Sequence, residues 1–372
     1  MKKLVLTLFA FAVTASAVHA NQDRELNPIF TAIPSLTIAP DARAGGMGDV
    51  GVATMPDVFS QHWNPSKYVF MESPAGFAFS YTPWLRSLVD DIGLFYAAGF
   101  WRPDDMQAFS MSVRFFSLGG VTLRQHPDDF PITANPNEFA IDFAYSRKLS
   151  ESFSASVAFR YIRGDLNVPV RNVEDTPMYP AHAIAADISA FYTTPITMAT
   201  GDARLSFGAN ISNIGNRVSY DEMTYNFLPT NLRFGTSFDM PIDNFNRISF
   251  SADANKLLVI SKAGRTEQEF NDTSLLQSIF GSFGEPNFGQ RIMWSAGAEY
   301  SYNNQFFLRT GYFHENYIIG GRQYFTVGAG FKLNVFQLDV GYVIATTPAN
   351  PLNNTLRFSL SFDLDGLRDL MN

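Results

Sequence analysis

The chain has 372 residues, no cysteine, 36 Phe and 15 Tyr, only 17% charged residues and a formal net charge of −8. Ordinary soluble domains hold roughly 25% charged residues, an acidic balance argues against a nucleic-acid partner, and the missing thiol excludes disulfides, an acylated lipobox and cysteine catalysis. Mean hydropathy is −0.04, and after the first twenty residues no apolar run approaches the roughly 20 residues of a membrane helix.

Residues 1–20 read as a signal peptide, with Lys2 and Lys3 as the basic region, an apolar stretch from Leu4 to Val18 and the small-residue cleavage site Val18-His19-Ala20. Loss of the two lysines makes the exported chain more acidic still. An exported, aromatic chain without membrane helices points to an outer-membrane barrel, whose strands alternate in polarity.

Residues 31–70 belong to neither the leader nor the strands. Pro34 and Pro40 break any regular helix, and Gly45, Gly46, Gly48 and Gly51 allow tight backbone paths. The segment closes on His62-Trp63-Asn64-Pro65-Ser66-Lys67-Tyr68. It reads as a plug, or hatch, packed inside the barrel. The run Gly46-Met47-Gly48-Asp49-Val50-Gly51 fits G-x-G-x-x-G, but a dinucleotide site needs a preceding buried strand and a following helix. Pro40 stands where the strand should end, so these glycines read as close-packing positions.

The rest of the chain alternates with a period of two. Leu356, Phe358, Leu360 and Phe362 take one face while Arg357, Ser359 and Ser361 take the other. Fourteen such segments begin near Ala75, Ile92, Ala108, Glu138, Ser152, Ala183, Ala203, Asn231, Arg247, Arg291, Gln305, Gln323, Val335 and Asn354. Many have the roughly 9 to 11 residues that a tilted strand needs to cross a bilayer. Connections are long at 118–137, 164–182, 214–230 and 257–290 and short near Ser150, Pro241, Asn303 and Asn334, which suits long outer loops and short periplasmic turns. The expected fold is all-β: a fourteen-stranded antiparallel transmembrane barrel over 75–362, a periplasmic and hatch segment over 21–74, and a periplasmic tail over 363–372. An even strand count places both termini in the periplasm.

The polar face carries both signs, among them Arg114, Asp142, Arg160, Asp187, Arg233, Asp253, Glu299, Arg309, Asp339 and Arg357. These read as a neutralising lumen network that holds the hatch. In the longest outer loop, Leu275, Leu276, Ile279, Phe280 and Phe283 form a short amphipathic patch after Asn271-Asp272-Thr273-Ser274. It either covers the barrel mouth or docks a partner. Trp84 and Leu85 in the first outer loop suit either an aromatic girdle or a partner anchor.

No enzyme signature stands out. The histidines beyond the leader are His62, His126, His182 and His314, with no Gly-x-Ser-x-Gly and no His-Glu-x-x-His. His314 beside Glu315 is the one pair that invites a hydrolase test. Asp90-Asp91 and Asp128-Asp129 read as solvated loop acids, so no metal and no cofactor is expected.

The order of leader, the run Ala42-Arg43-Ala44-Gly45-Gly46-Met47-Gly48-Asp49-Val50-Gly51, then Asn64-Pro65-Ser66, then fourteen strands resembles the FadL family of outer-membrane proteins. That family has a fourteen-stranded barrel with a hatch carrying Asn-Pro-Ala; here Ser66 replaces the alanine. The longer stretch from Ala32 to Asp49, running into Gln61-His62-Trp63-Asn64-Pro65-Ser66-Lys67-Tyr68, is similar to the PorV family, also called LptO, of the type IX secretion system. The resemblance makes Asp41, Arg43, Gly45, Gly46, Gly48, Asp49, Trp63, Asn64 and Pro65 the signature of the hatch. It implies a non-enzymatic shuttle in the outer membrane of Bacteroidota, amid outer-membrane lipids. This shuttle would take cargo proteins by their C-terminal signal domains from a translocon barrel of the Sov/SprA type to an attachment complex containing the sortase-like peptidase PorU. The alternatives are a FadL-like transporter of hydrophobic small molecules and a lipopolysaccharide O-deacylase.

Overall fold

The computed structural model describes residues 27–84, 91–123, 132–166, 178–346 and 352–364. The expected leader, His126, Asp90, Asp128-Asp129, Leu85 and the tail beyond residue 364 lie outside the described residues.

Fourteen strands pair antiparallel with their sequence neighbours into a closed barrel. The first, Ala75–Pro83, closes on the last, Leu356–Asp363, with Gly76 opposite Asp363 and Tyr81 opposite Phe358. Every strand starts within two residues of the position that the alternation marks. Side chains sort as a membrane wall requires. On Phe153–Asp165, Val157, Phe159 and Tyr161 face outward and are exposed, while Ser154, Ala158, Arg160 and Ile162 point inward and are buried. The short turns use left-handed asparagines: Asn303 and Asn304 both have φ 53°, as a tight hairpin turn demands. One pairing lies outside the expectation, a small hairpin of Val121–Leu123 with Ile132–Ala134 in a long connection.

The core is in the lumen, where the hatch descends. Asn27 donates its backbone N–H to Ile318 O at 2.8 Å, and Ala32 donates to Phe227 O at 2.9 Å. Phe227 belongs to one of the long connections, and Ile318 to the shorter connection 315–322 at the same end of the barrel. Lower down, Ser80 Oγ donates to Pro40 O at 2.6 Å, and the chain reaches Ala75 at the short-turn end. The start of the described chain is therefore at the long-connection end of the barrel, opposite the short turns; long connections were expected outside and this segment was expected in the periplasm. Its apolar residues decide this: Ile29 packs on Phe227, Val259, Ile260 and Phe270, and Ile33 is buried against Ala140, Ile162 and Leu228.

The wall is stripped to backbone where the hatch passes. A Cβ on Gly311 or Gly208 would lie well inside contact distance of the hatch backbone at Met47 and Val52. Gly48 in the hatch has φ +73°, and a Cβ there would sit 2.6 Å from Tyr312 N. Only glycine meets both demands at that point.

Candidate functional site

Two regions carry the residues singled out in the sequence: the locked hatch and the outer loop face. In the hatch, Asp41 caps the short helix Ala42–Gly45, accepting from Ala44 N at 2.8 Å and from Trp63 Nε1 at 2.7 Å. Asp41 is fully buried. Burial, reinforced by nearby Asp57, pushes its carboxyl up to about 6. Trp63 closes over Gly51, leaving no room for a side chain there, and the Arg233 guanidinium lies 4.5 Å above its ring.

The ion pairs tie this helix to the wall. Arg43 forks onto Glu299 at 3.0 and 3.1 Å and reaches Asp57 at 2.8 Å. Glu299 also accepts from Arg309 at 2.5 Å, and Arg309 continues to Asp339 at 2.6 Å. Asp49 pairs with Arg357 and accepts from Tyr324 Oη at 2.5 Å. Asp253 works differently: its carboxylate takes the hatch amides of Gly51 and Val52 at 2.8 and 3.1 Å. Buried charges that are shared and hydrogen-bonded in this way hold one geometry.

Asn64-Pro65-Ser66 is the lower latch. Asn64 caps the 3₁₀ helix Pro65–Phe70, accepting from Ser66 N at 3.1 Å and from the Ser66 hydroxyl. Its amide donates to Val52 O at 3.0 Å and to wall residue Ala190 O at 2.9 Å. Pro65 fits because the first helical position needs no N–H. The exchange of alanine for Ser66 adds a hydroxyl that stays on Asn64. Wall serines 146 and 154 donate to Pro65 O and Ser66 O at 2.8 and 2.7 Å.

Two hatch residues the sequence did not single out belong here. Lys67 is completely buried and donates only to Gly51 O at 2.8 Å and Thr54 Oγ1 at 3.1 Å. Burial lowers its ammonium to about 8. Asp57 takes Arg43 at the foot of the hatch, where a cavity of about 660 Å³ opens between the short turns, lined by Arg43, Asp57, Phe70, Arg204, Glu299 and Asp339. Helical spacing could not have found either residue, because the hatch has almost no periodic structure. His62 accepts at Nδ1 from Arg114 at 3.0 Å; burial and the arginines 114, 233 and 160 hold it well below its usual range and so neutral.

At the outer face the longest loop folds into two helices, Glu267–Asp272 and Leu275–Gly281, each opened by a capping box, Thr266 with Glu269 and Ser274 with Gln277. Leu275 packs inward on Phe227, Val259, Ile260 and Phe270, and Ser278 Oγ accepts from Ile260 N at 3.2 Å. The opposite face presents Leu276 and Phe280, 63% and 72% exposed, with Ile279 half-buried between. Phe283 and Phe288 extend the patch at 45% and 42% exposure, with Lys256 Nζ 5.3 and 5.5 Å from their rings. Arg217 clasps this loop to its neighbour, donating to Asn271 O at 2.6 Å and standing 4.4 Å over Phe227.

Trp84 lies on the lumen side of the outer end, partly buried against Met293, Phe313, Ile318 and Tyr324. His314 and Glu315 do not form an acid–base pair. They are on opposite faces of the wall: His314 stacks on Trp294 at 5.1 Å, while Glu315 is buried and accepts from Arg322 at 2.8 Å. Among the described residues no cluster of His, Asp and Glu is placed to hold a metal ion.

A family model described as the type IX secretion system protein PorV matches residues 19–263. No curated protein matches the sequence at significance. Among solved structures the chain is similar to a deltaS2S3 mutant of the TodX monoaromatic hydrocarbon channel, at 10% identity and a TM-score of 0.51 over 87% of this chain and 98% of the other. It is also similar to the toluene transporter TodX of P. putida, at 9% identity and a TM-score of 0.50 over 87% and 97%. A FadL homologue of Pseudomonas aeruginosa aligns at 12% identity and a TM-score of 0.47 over 91% and 99%. At these identities the likeness speaks for the fold alone.

Proposed function

The chain belongs to the PorV family of type IX secretion system proteins, and from that premise we propose that it is a non-enzymatic cargo carrier in the outer membrane of a Bacteroidota cell. It holds secreted proteins by their C-terminal signal domains at the outer face. It receives them from the translocon barrel and passes them to the attachment complex that contains the PorU peptidase.

The observation that carries this reading is the exposed cluster of Leu276, Phe280, Phe283 and Phe288 on the longest outer connection. Several large apolar side chains exposed on one capped, clasped loop, with Phe283 and Phe288 stacked on each other, mark an interaction site. The lumen beneath it is occupied by a hatch fixed through Arg43, Asp49 and Asp253, so the outer surface is where partners are met. Function on loops held by a rigid scaffold is the general rule.

The test is affinity recovery of the tagged protein from detergent-solubilised outer membrane. The unchanged chain is expected to bring down a large translocon barrel, a sortase-like peptidase and proteins sharing a C-terminal β-domain. The double variant Leu276→Asp, Phe280→Asp should lower that recovery by about tenfold or more, the scale of losing a central apolar anchor, while the barrel keeps its heat-modifiable gel mobility. Equal recovery from the double variant removes the loop from the reading. Recovery of small apolar molecules alone would make the chain a solute transporter instead.

A further inference from the structure

The outward-facing files of two neighbouring strands record the depth of the bilayer. On Phe153–Asp165 the outward residues run Val157, Phe159, Tyr161, Arg163; on Ala181–Met198 they run Ile188, Ile184, His182 toward the same outer end. Arg163 and His182 are direct cross-strand partners, and Tyr161 faces Ile184. Purely apolar side chains, Phe159 and Ile184, therefore give way to Tyr161 and His182 within one step of the pleat, and to Arg163 at the next. That change marks the boundary between hydrocarbon and headgroups on the outer leaflet.

The three polar side chains are organised. Tyr161 stacks on His182 with 6.0 Å between centroids and 25° between planes, and its hydroxyl is 2.8 Å from His182 Nδ1. That bond orients the imidazole and leaves Nε2 to point elsewhere. Asn216 laces the strand end, accepting from Ile184 N at 2.7 Å and donating to His182 O. Arg163 gives Nη2 to Asp165 at 2.6 Å, the one hydrogen bond its guanidinium makes among the described residues. A second outward histidine has the same setting: His314, the last residue of Phe306–His314, stacks on Trp294, with Tyr312 Oη 3.4 Å from Nδ1.

We propose that Arg163, His182 and Tyr161 form a binding site for the phosphate of an outer-leaflet lipid. The guanidinium fork and the imidazole Nε2 donate to the phosphate oxygens, Tyr161 supplies the interfacial ring, and the acyl chains run down over Ile184 and Phe159. A planar fork beside a fixed imidazole suits a tetrahedral oxyanion better than a carbohydrate hydroxyl. The depth places the phosphate where a membrane lipid carries it.

The test is native mass spectrometry of the full chain in micelles doped with a diphosphorylated glucosamine-disaccharide lipid or its dephosphorylated counterpart, with inorganic phosphate as competitor. The chain should retain the phosphorylated lipid and not the dephosphorylated one. The variant Arg163→Gln with His182→Gln should reduce retention by about tenfold, as expected for losing two charge-assisted contacts at an interface. Heat-modifiable mobility establishes that the variant barrel is folded, and the matched variant Arg204→Gln, facing the lumen, should retain lipid normally. Equal retention by the Arg163/His182 variant, or equal retention of the dephosphorylated lipid, overturns the site. Displacement of the lipid by millimolar inorganic phosphate would make it a free-phosphate site and overturn the lipid assignment.

Discussion

Asp41 and Lys67 show how single buried charges set the response of the hatch to pH. The Asp41 carboxyl, raised from 3.8 to about 6, binds its proton more tightly in the folded chain than in the unfolded one. Its contribution is therefore complete below about pH 4 and lost as pH rises through 6. Lys67, lowered from 10.5 to about 8, gives up its proton more readily when folded, so stability rises with pH between those values. Asp41→Asn keeps one acceptor oxygen, enough for Ala44 N or Trp63 Nε1 but not both, so it should lower the melting temperature and also flatten its dependence on pH between 4 and 6; Lys67→Met should flatten that dependence between 8 and 10. A wild-type slope retained in both variants would mean that other groups govern the titration. Asp41 stood out in the sequence only through the family resemblance of the hatch segment. Its acceptor role toward Trp63, 22 positions away, did not, and neither did the Asp49–Arg357 pair, separated by 308 positions. The first pair needs the hatch to fold back on itself, and the second meets only because the last strand of the wall passes the hatch.

Elements with a strong period were legible from the chain and the others were not. The fourteen wall strands are long, and each alternates between lipid and lumen, so the pattern repeats several times within each strand. Val121–Leu123 and Ile132–Ala134 are three residues each, too short to express a period. The outer helix after Ser274 was foreseeable from its cap and apolar spacing, but its clasp was not. Arg217 lies more than fifty positions away and bonds to backbone carbonyls, which carry no sequence signal. Arg217→Ala should release the helices Glu267–Asp272 and Leu275–Gly281 from the neighbouring loop. Lost cation–π and carbonyl contacts of this kind correspond to about 1–2 kcal/mol of local opening, read as roughly tenfold faster loop cleavage by protease on intact cells. The melting temperature of the barrel should hardly move. Cleavage at the wild-type rate would show that the capping boxes alone hold the loop.

For the whole molecule, the direction of the hatch was the least legible feature, because residues 27–33 are too few and too irregular to announce which end they occupy. The contacts of Asn27 with Ile318 and of Ala32 with Phe227 put them at the outer end. The chain has no native cysteine, which makes this directly measurable. Phe30→Cys should react with a membrane-impermeant maleimide on intact cells, and Asn304→Cys, in a short turn, only after the outer membrane is breached. The reverse pattern would invert the barrel. The bare wall at Gly208 and Gly311 has a consequence for assembly. The hatch backbone touches the wall at those positions, and Arg357 and Ser359 of the final strand, which pairs with the first, grip Asp49 and Ala42. A wall bared to backbone and lined with charges has no packed interior of its own, so the seam and the hatch stand or fall together. The hatch is thus a mandrel to which the barrel is fitted.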